Sequence, residues 1–189
     1  REAPRAEQPA PAAARTASSG SFAVRCPAMA EGAELPKEFT GDGDGISPPL
    51  EWSGAPAGTK SYALVMHHTD PQGENVTYWI LYNLPADVRS LPKGVRGIGT
   101  LGIGSRSRQA GYWPPHSKGP GTKTYTFTVY ALSAPAPLAL PSSGVTQEAL
   151  LAAVKNQILA SADLSVPYTR TAADVASGGG GAQDSGPGR

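Results

Sequence analysis

Prolines recur along this chain at intervals too short for long helices, and glycines fill the gaps between them. Gly and Pro together make up 42 of 189 residues. Proline breaks a helix interior because it lacks an N–H donor and clashes with the preceding turn. The first constraint is therefore against an all-helical fold. Disorder does not explain the excess. The hydrophobic share is 39%, the charged share 16% and the net charge +1, whereas disordered chains combine low hydrophobicity with high charge. The glycines lack the three-residue period of collagen.

The ends read differently from the middle. Residues 1–20 hold seven Ala and three Pro and no aromatic residue, and residues 171–189 hold six Gly. Neither end offers enough apolar surface to offset ordering entropy, so both read as disordered, an Ala/Pro-rich leader and a Gly-rich tail. Residues 21–170 keep 16 Gly and 15 Pro. A folded unit this rich in turn formers is expected to be mainly β with many loops.

Three segments carry strand patterns. Ser61–His68 is an apolar run of strand length, and Val76–Leu84 is β-branched and aromatic up to Pro85. In Lys123–Leu132, Tyr125, Phe127, Val129 and Ala131 alternate with Thr124, Thr126, Thr128 and Tyr130. Such alternation sends the two sets to opposite faces. Together they predict the centre of a sheet covered on both faces. One helix is marked by Thr146 as cap, with Val145 and Leu150 in staple positions. Its stripe, Leu150, Leu151, Val154, Ile158 and Leu159, predicts a helix ending near Ala162, before Pro167.

Several function classes fall away. No apolar run reaches the length of a membrane-spanning helix. The lone Cys26 leaves no disulfide framework or multi-cysteine metal site. The near-neutral charge offers no field for nucleic acid, and the basic residues from Arg89 to Arg108 read as a solvated loop. Gly97–Gly102 matches GxGxxG, but no helical pattern follows it, so it reads as a flexible loop. Asn75-Val76-Thr77 is a glycosylation sequon, relevant only in a eukaryotic secretory pathway. The Ala/Pro-rich leader, the absence of an initial Met and the lone Cys fit an exported protein whose leader has been removed.

The three histidines invite two chemical readings. His68, Asp70 and His116 make a two-His, one-carboxylate set. Ser117 or Ser47 beside a histidine would make a hydrolase. Nothing in the spacing marks either, and a polar cluster at the mouth of a sheet explains the same residues. Thr40–Trp52 holds Asp42 and Asp44 in a Gly-rich turn, but lacks the downstream Glu of a calcium loop. No metal or cofactor is implied.

Read together, Thr40–Trp52 with its Ser-Pro-Pro-Leu-Glu-Trp block, Ala55–Met66, Tyr78–Pro85, Ser90–Gly94, Tyr125–Leu132 and the closing Tyr168-Thr-Arg170 resemble the phosphatidylethanolamine-binding protein family. The bacterial branch, related to Raf kinase inhibitor proteins, is the nearer one. The resemblance covers residues 22–170. It implies a β-sandwich: a large central antiparallel sheet, a smaller sheet and a C-terminal helix. It also implies a small anion pocket at one end of the large sheet.

At that pocket the sequence departs from the family pattern. His68-Thr69-Asp70 stands where relatives have Asp-Pro-Asp. Tyr78 replaces a histidine before Trp79, and Lys123 replaces the one before the Tyr125 strand. Pro114 and Pro115 are kept, with His116 added beside them. The resemblance thus implies a site lined by His68, Asp70, Tyr78, Pro115, His116, Lys123, Tyr125 and Tyr168, with Asp70 orienting His68. Its ligand would be a small anion or phospholipid head group, bound without catalysis. The alternative is a protein-interaction module, a protease or kinase inhibitor acting through exposed loops. A hydrolase using the His cluster stands third.

Overall fold

The structure, a computed structural model, describes residues 21–139 and 144–177. Its strands are β1 (Ala23–Arg25), β2 (Leu50–Ser53), β3 (Ser61–Thr69), β4 (Asn75–Pro85), β5 (Ser90–Leu91), β6 (Thr100–Leu101), β7 (Gly121–Leu132) and β8 (Ile158–Arg170). Helix α1 (Gln147–Val154) precedes β8, and α2 (Ala172–Ser177) follows it. One antiparallel sheet has the order β6-β4-β3-β7-β8, and a smaller one β1-β2-β5. This is the mainly β sandwich that the strand patterns and the resemblance imply.

The three strands legible in the sequence are the middle of the large sheet. The first six residues of β3 are all buried. Tyr62, Leu64 and Met66 face the small sheet and pack in one cluster with Leu50, Trp52 and Leu91. Ala63 and Val65 face the other way, toward Val145, Leu150 and Val154 around α1. Each fully buried large apolar side chain contributes roughly 1.5–3 kcal/mol, so covering both faces makes β3 the spine of the fold. On β7, Tyr125, Phe127, Val129 and Ala131 do face the sandwich core.

One irregularity shapes the site. Met66 pairs with Trp79 and His67 with Thr77, so Tyr78 is an extra residue on β4. This bulge turns both Tyr78 and Trp79 toward the same core.

The expected helix is half helix, half strand. Thr146 caps α1, its hydroxyl accepting from the Ala149 N–H at 3.2 Å. The helix ends at Val154, however, and Ile158 opens β8 instead of extending the apolar stripe. Ile158 and Leu159 are 36% and 42% exposed. The cause is tertiary. β7 presents a full edge of unpaired backbone groups, and residues 158–170 satisfy it along its whole length. Short apolar runs carry too little local preference to resist that pairing.

Gly97–Gly102 runs along the sheet edge as a loop, with β6 paired to β4 and no helix opening on it. Residues 1–20 and 178–189, read as tails, lie outside the described residues, while the first part of the C-terminal segment forms α2. Among the described residues no helix is long and apolar enough to cross a membrane.

Candidate functional site

His68 occupies the last core-facing position of β3. Its Nδ1 lies 2.8 Å from the Thr124 carbonyl oxygen. A carbonyl only accepts, so Nδ1 carries a hydrogen, and Nε2 is the acceptor whenever the ring is neutral. That Nε2 is buried without a partner. The ring sits 5.5 Å from Tyr125, which meets Tyr78 edge-on at 5.2 Å. Tyr78 in turn stacks on Trp113 at 5.0 Å. Burial pushes the hydroxyls of Tyr78 and Tyr125 well above the usual tyrosine range. The row of rings is thus a neutral, rigid wall behind His68.

In front of this wall a groove of about 490 Å³ crosses the ends of β3 and β7, lined by His67, His68, Asp70, Lys123, Thr124 and Thr126 among others. Three of the sequence-implied site residues, His68, Asp70 and Lys123, meet here. Asp70 does not orient His68. Its Oδ1 accepts from the N–H groups of Gln72 (3.0 Å) and Glu74 (2.8 Å), and its Oδ2 faces Arg106 at 3.6 Å. An Asp two residues before a turn N–H is well suited to closing that turn, and His68 is held by backbone instead. Sequence reasoning left out His67. Its Nε2 lies 3.4 Å from Thr128 Oγ1, which donates to Asp163 at 2.6 Å. Burial pushes the His67 imidazolium below its ordinary pKa, against the pull of the Asp163 charge.

The other expected residues converge elsewhere. Asp42 accepts from Arg170 Nε at 3.0 Å to each oxygen, and Nη2 lies 2.8 Å from its Oδ1 in the same ion pair. Tyr168 Oη donates to it at 2.7 Å, and His116 Nε2 lies at 3.4 Å. Arg170 also donates to the Ser117 carbonyl. The Asp42 and Arg170 side chains are only 5% and 4% exposed. His116 and Tyr168 therefore serve a buried ion pair and do not turn to the groove. Buried Pro115 positions the loop, its carbonyl accepting from the Gly41 N–H at 2.9 Å. Gly41 is needed there, because a Cβ would fall 2.7 Å from the His116 side chain. The two clusters adjoin through the β7–β8 pair of Lys123 and Tyr168.

Asp42 and Arg170 were not among the sequence-implied site residues, and Asp42 was weighed only as a calcium ligand. Its oxygens are committed to a guanidinium and a phenol, which leaves no cation loop. A signal did exist: Tyr168 and Arg170 alternate on one strand and so share a face. The two-His, one-carboxylate set is not assembled either, because His116 turns to Asp42 while His68 turns to Thr124. Among the described residues no three His, Cys, Asp or Glu side chains are placed to hold a metal ion. Ser117 Oγ donates to the Gly119 carbonyl, and among the described residues neither it nor Ser47 is hydrogen-bonded to a histidine.

Burial alone would raise the Asp42 carboxyl. Hydrogen bonds from Arg170 and Tyr168, with the charges of Arg170 and His116, outweigh it and hold the group below its ordinary 3.8. A depressed folded pKa means stability present above pH 3.8 and lost as pH falls through the lower folded value. Acid titration of urea midpoints should show a steep loss below about pH 4 that Asp42→Asn flattens.

The comparisons with known proteins agree with this architecture. A family model described as phosphatidylethanolamine-binding protein matches residues 25–169. The chain belongs to the phosphatidylethanolamine-binding protein family. A UPF0098 protein of Methanothermobacter thermautotrophicus is 34% identical over 141 residues, covering 72% of this chain and 91% of its own length. A crystal structure of a phosphatidylethanolamine-binding protein homologue from Chlamydia trachomatis superposes with a TM-score of 0.73 at 30% identity, covering 80% of this chain and 99% of that one. Escherichia coli YbcL gives 0.69 at 25% identity, with 80% and 100% covered. Membership in the phosphatidylethanolamine-binding protein family supports a binding-type function.

Proposed function

We propose that the protein is a non-catalytic binding module for a small anionic group, such as phosphate or a phospholipid head group, held in the His68–Lys123 groove. The observation that carries this reading is that one groove is lined by both His68, whose buried Nε2 has no partner, and Lys123. Among the described residues Lys123 joins none of the ion pairs, which engage Arg25, Lys37, Lys93, Arg106, His116 and Arg170. A phosphate monoester suits both groups at once. Its charged oxygens meet Lys123, and its P–OH donates to Nε2. Tyr78, Tyr125 and Trp113 hold His68 in place and are the wall of the site, while His116 and Tyr168 act on the neighbouring loop.

Calorimetric titration with inorganic phosphate, phosphoethanolamine and glycerophosphoethanolamine tests this reading. Lys123→Ala should weaken each by roughly tenfold or more, the worth of one charge-assisted hydrogen bond. Tighter binding of inorganic phosphate and of the monoester than of the diester would follow from the P–OH contact. Heats indistinguishable from buffer for all three anions in the wild type would refute it.

A further inference from the structure

The Gly94–Gly104 loop is used by neither the groove nor the Asp42 cluster. Glycine lets it touch the large sheet at two points. A Cβ at Gly99 would come 2.8 Å from the Tyr82 carbonyl, and one at Gly102 2.8 Å from the Ile80 side chain. Around these contacts the loop encloses two adjoining cavities of about 340 and 280 Å³. They share Val95, Arg96, Leu101 and Ala110 as walls. Ile46 and Tyr112 extend the first, and Ile98 extends the second. Leu101 stays 38% exposed, one of three large apolar side chains left open to water among the described residues. A concave lining with apolar walls and one charged group at its rim suits a small ligand.

Charge selects the occupant. Of the nearby basic residues, Lys93 is paired with Glu38 and Arg106 with Asp70 and Glu74, while Arg108 lines neither cavity. Arg96 is exposed and joins none of the ion pairs among the described residues. Apolar walls beside one uncompensated guanidinium complement a hydrocarbon chain with an anionic end. We propose that this double cavity binds a single-chain anionic amphiphile, its chain against Val95, Ile98 and Leu101 and its head group on Arg96. The planar guanidinium can meet two oxygens of a carboxylate or of a phosphate monoester. Each buried methylene strengthens binding about fourfold. The site lies at the β4–β6 edge of the large sheet, apart from the β3–β7 groove, and does not depend on the reading of that groove.

Methyl-resolved NMR of the full chain tests it, with decanoate, decyl phosphate and decyltrimethylammonium each kept below its micelle concentration. The methyls of Val95, Ile98 and Leu101 should shift with both anions and not with the cation, the tighter anion naming the head-group class. Octanoate should bind about fifteenfold more weakly than decanoate. Arg96→Gln should weaken decanoate about tenfold while leaving phosphate shifts at His68 unchanged, and Lys123→Ala should leave decanoate binding intact. Equal response to the cationic amphiphile would overturn the proposal. So would undiminished decanoate affinity in Arg96→Gln, or shifts confined to the His68 groove.

Discussion

Asp42→Ala is expected to lower unfolding stability by about 3–5 kcal/mol, because it strands Arg170 as an uncompensated buried charge. The cost comes less from lost attraction than from the desolvation of a guanidinium whose remaining acceptors are backbone carbonyls. The same logic predicts strong coupling. Arg170→Met alone should destabilise comparably, yet the double variant should lose far less than the two single losses combined, since no charge is then left buried. Urea unfolding of the four proteins measures this. A loss below about 1 kcal/mol for Asp42→Ala, the worth of a surface pair, would mean that the cluster is solvated. Because His116, Tyr168 and Ser117 all touch this pair, the loop beside the groove should loosen with it, raising amide exchange from Gly41 to Asp44 and at His116.

Tyr125→Ala should be of similar size, about 3–5 kcal/mol, as for other buried aromatic truncations. Tyr125 is 1% exposed and touches both His68 and Tyr78. Removing its ring leaves a cavity behind His68, so phosphate affinity should fall although Tyr125 does not line the groove. Tyr125→Phe keeps the ring and should keep both stability, to within about 1 kcal/mol, and affinity. A Tyr125→Phe protein that lost phosphate binding would instead make the hydroxyl a direct ligand donor. Thermal unfolding and calorimetry on the same samples separate the two cases.

The contrast between these residues shows what the sequence makes legible. Alternation along 123–132 is local, so the burial of Tyr125, Phe127 and Val129 can be read from the chain alone. The Thr146 cap is equally local. By contrast, Ile158 and Leu159 fit a helical stripe in isolation, and only the open edge of β7 decides otherwise. The site divides in the same way. His68, Asp70 and Lys123 lie near strand ends, and the family resemblance places them at one mouth. The role of Asp70 depends on the β3–β4 turn, where two backbone N–H groups compete for its carboxylate and win. Asp42 and Arg170 are 128 residues apart, and no local pattern links a Gly-rich turn to the end of the last strand. His116 was drawn to the wrong cluster for that reason.

The exchange of acid and base at the groove has a chemical consequence. A carboxylate at position 68 would repel an anion, whereas on the proposed reading the imidazole there meets it through Nε2. Lys123 adds a positive charge at the facing strand. On the proposed reading the ligand must keep one proton, so affinity for a phosphate monoester should depend on its own second ionisation near pH 6.

The most direct measurement is a nitrogen and carbon correlated NMR map of the wild-type protein titrated with inorganic phosphate. Binding in the groove predicts the largest shifts at the His68 ring, the Lys123 side chain and the Thr124 amide, with Arg96 and Leu101 unmoved. Saturating shifts centred on the Asp42–His116 loop, or no saturable shift at His68 and Lys123, would contradict the account.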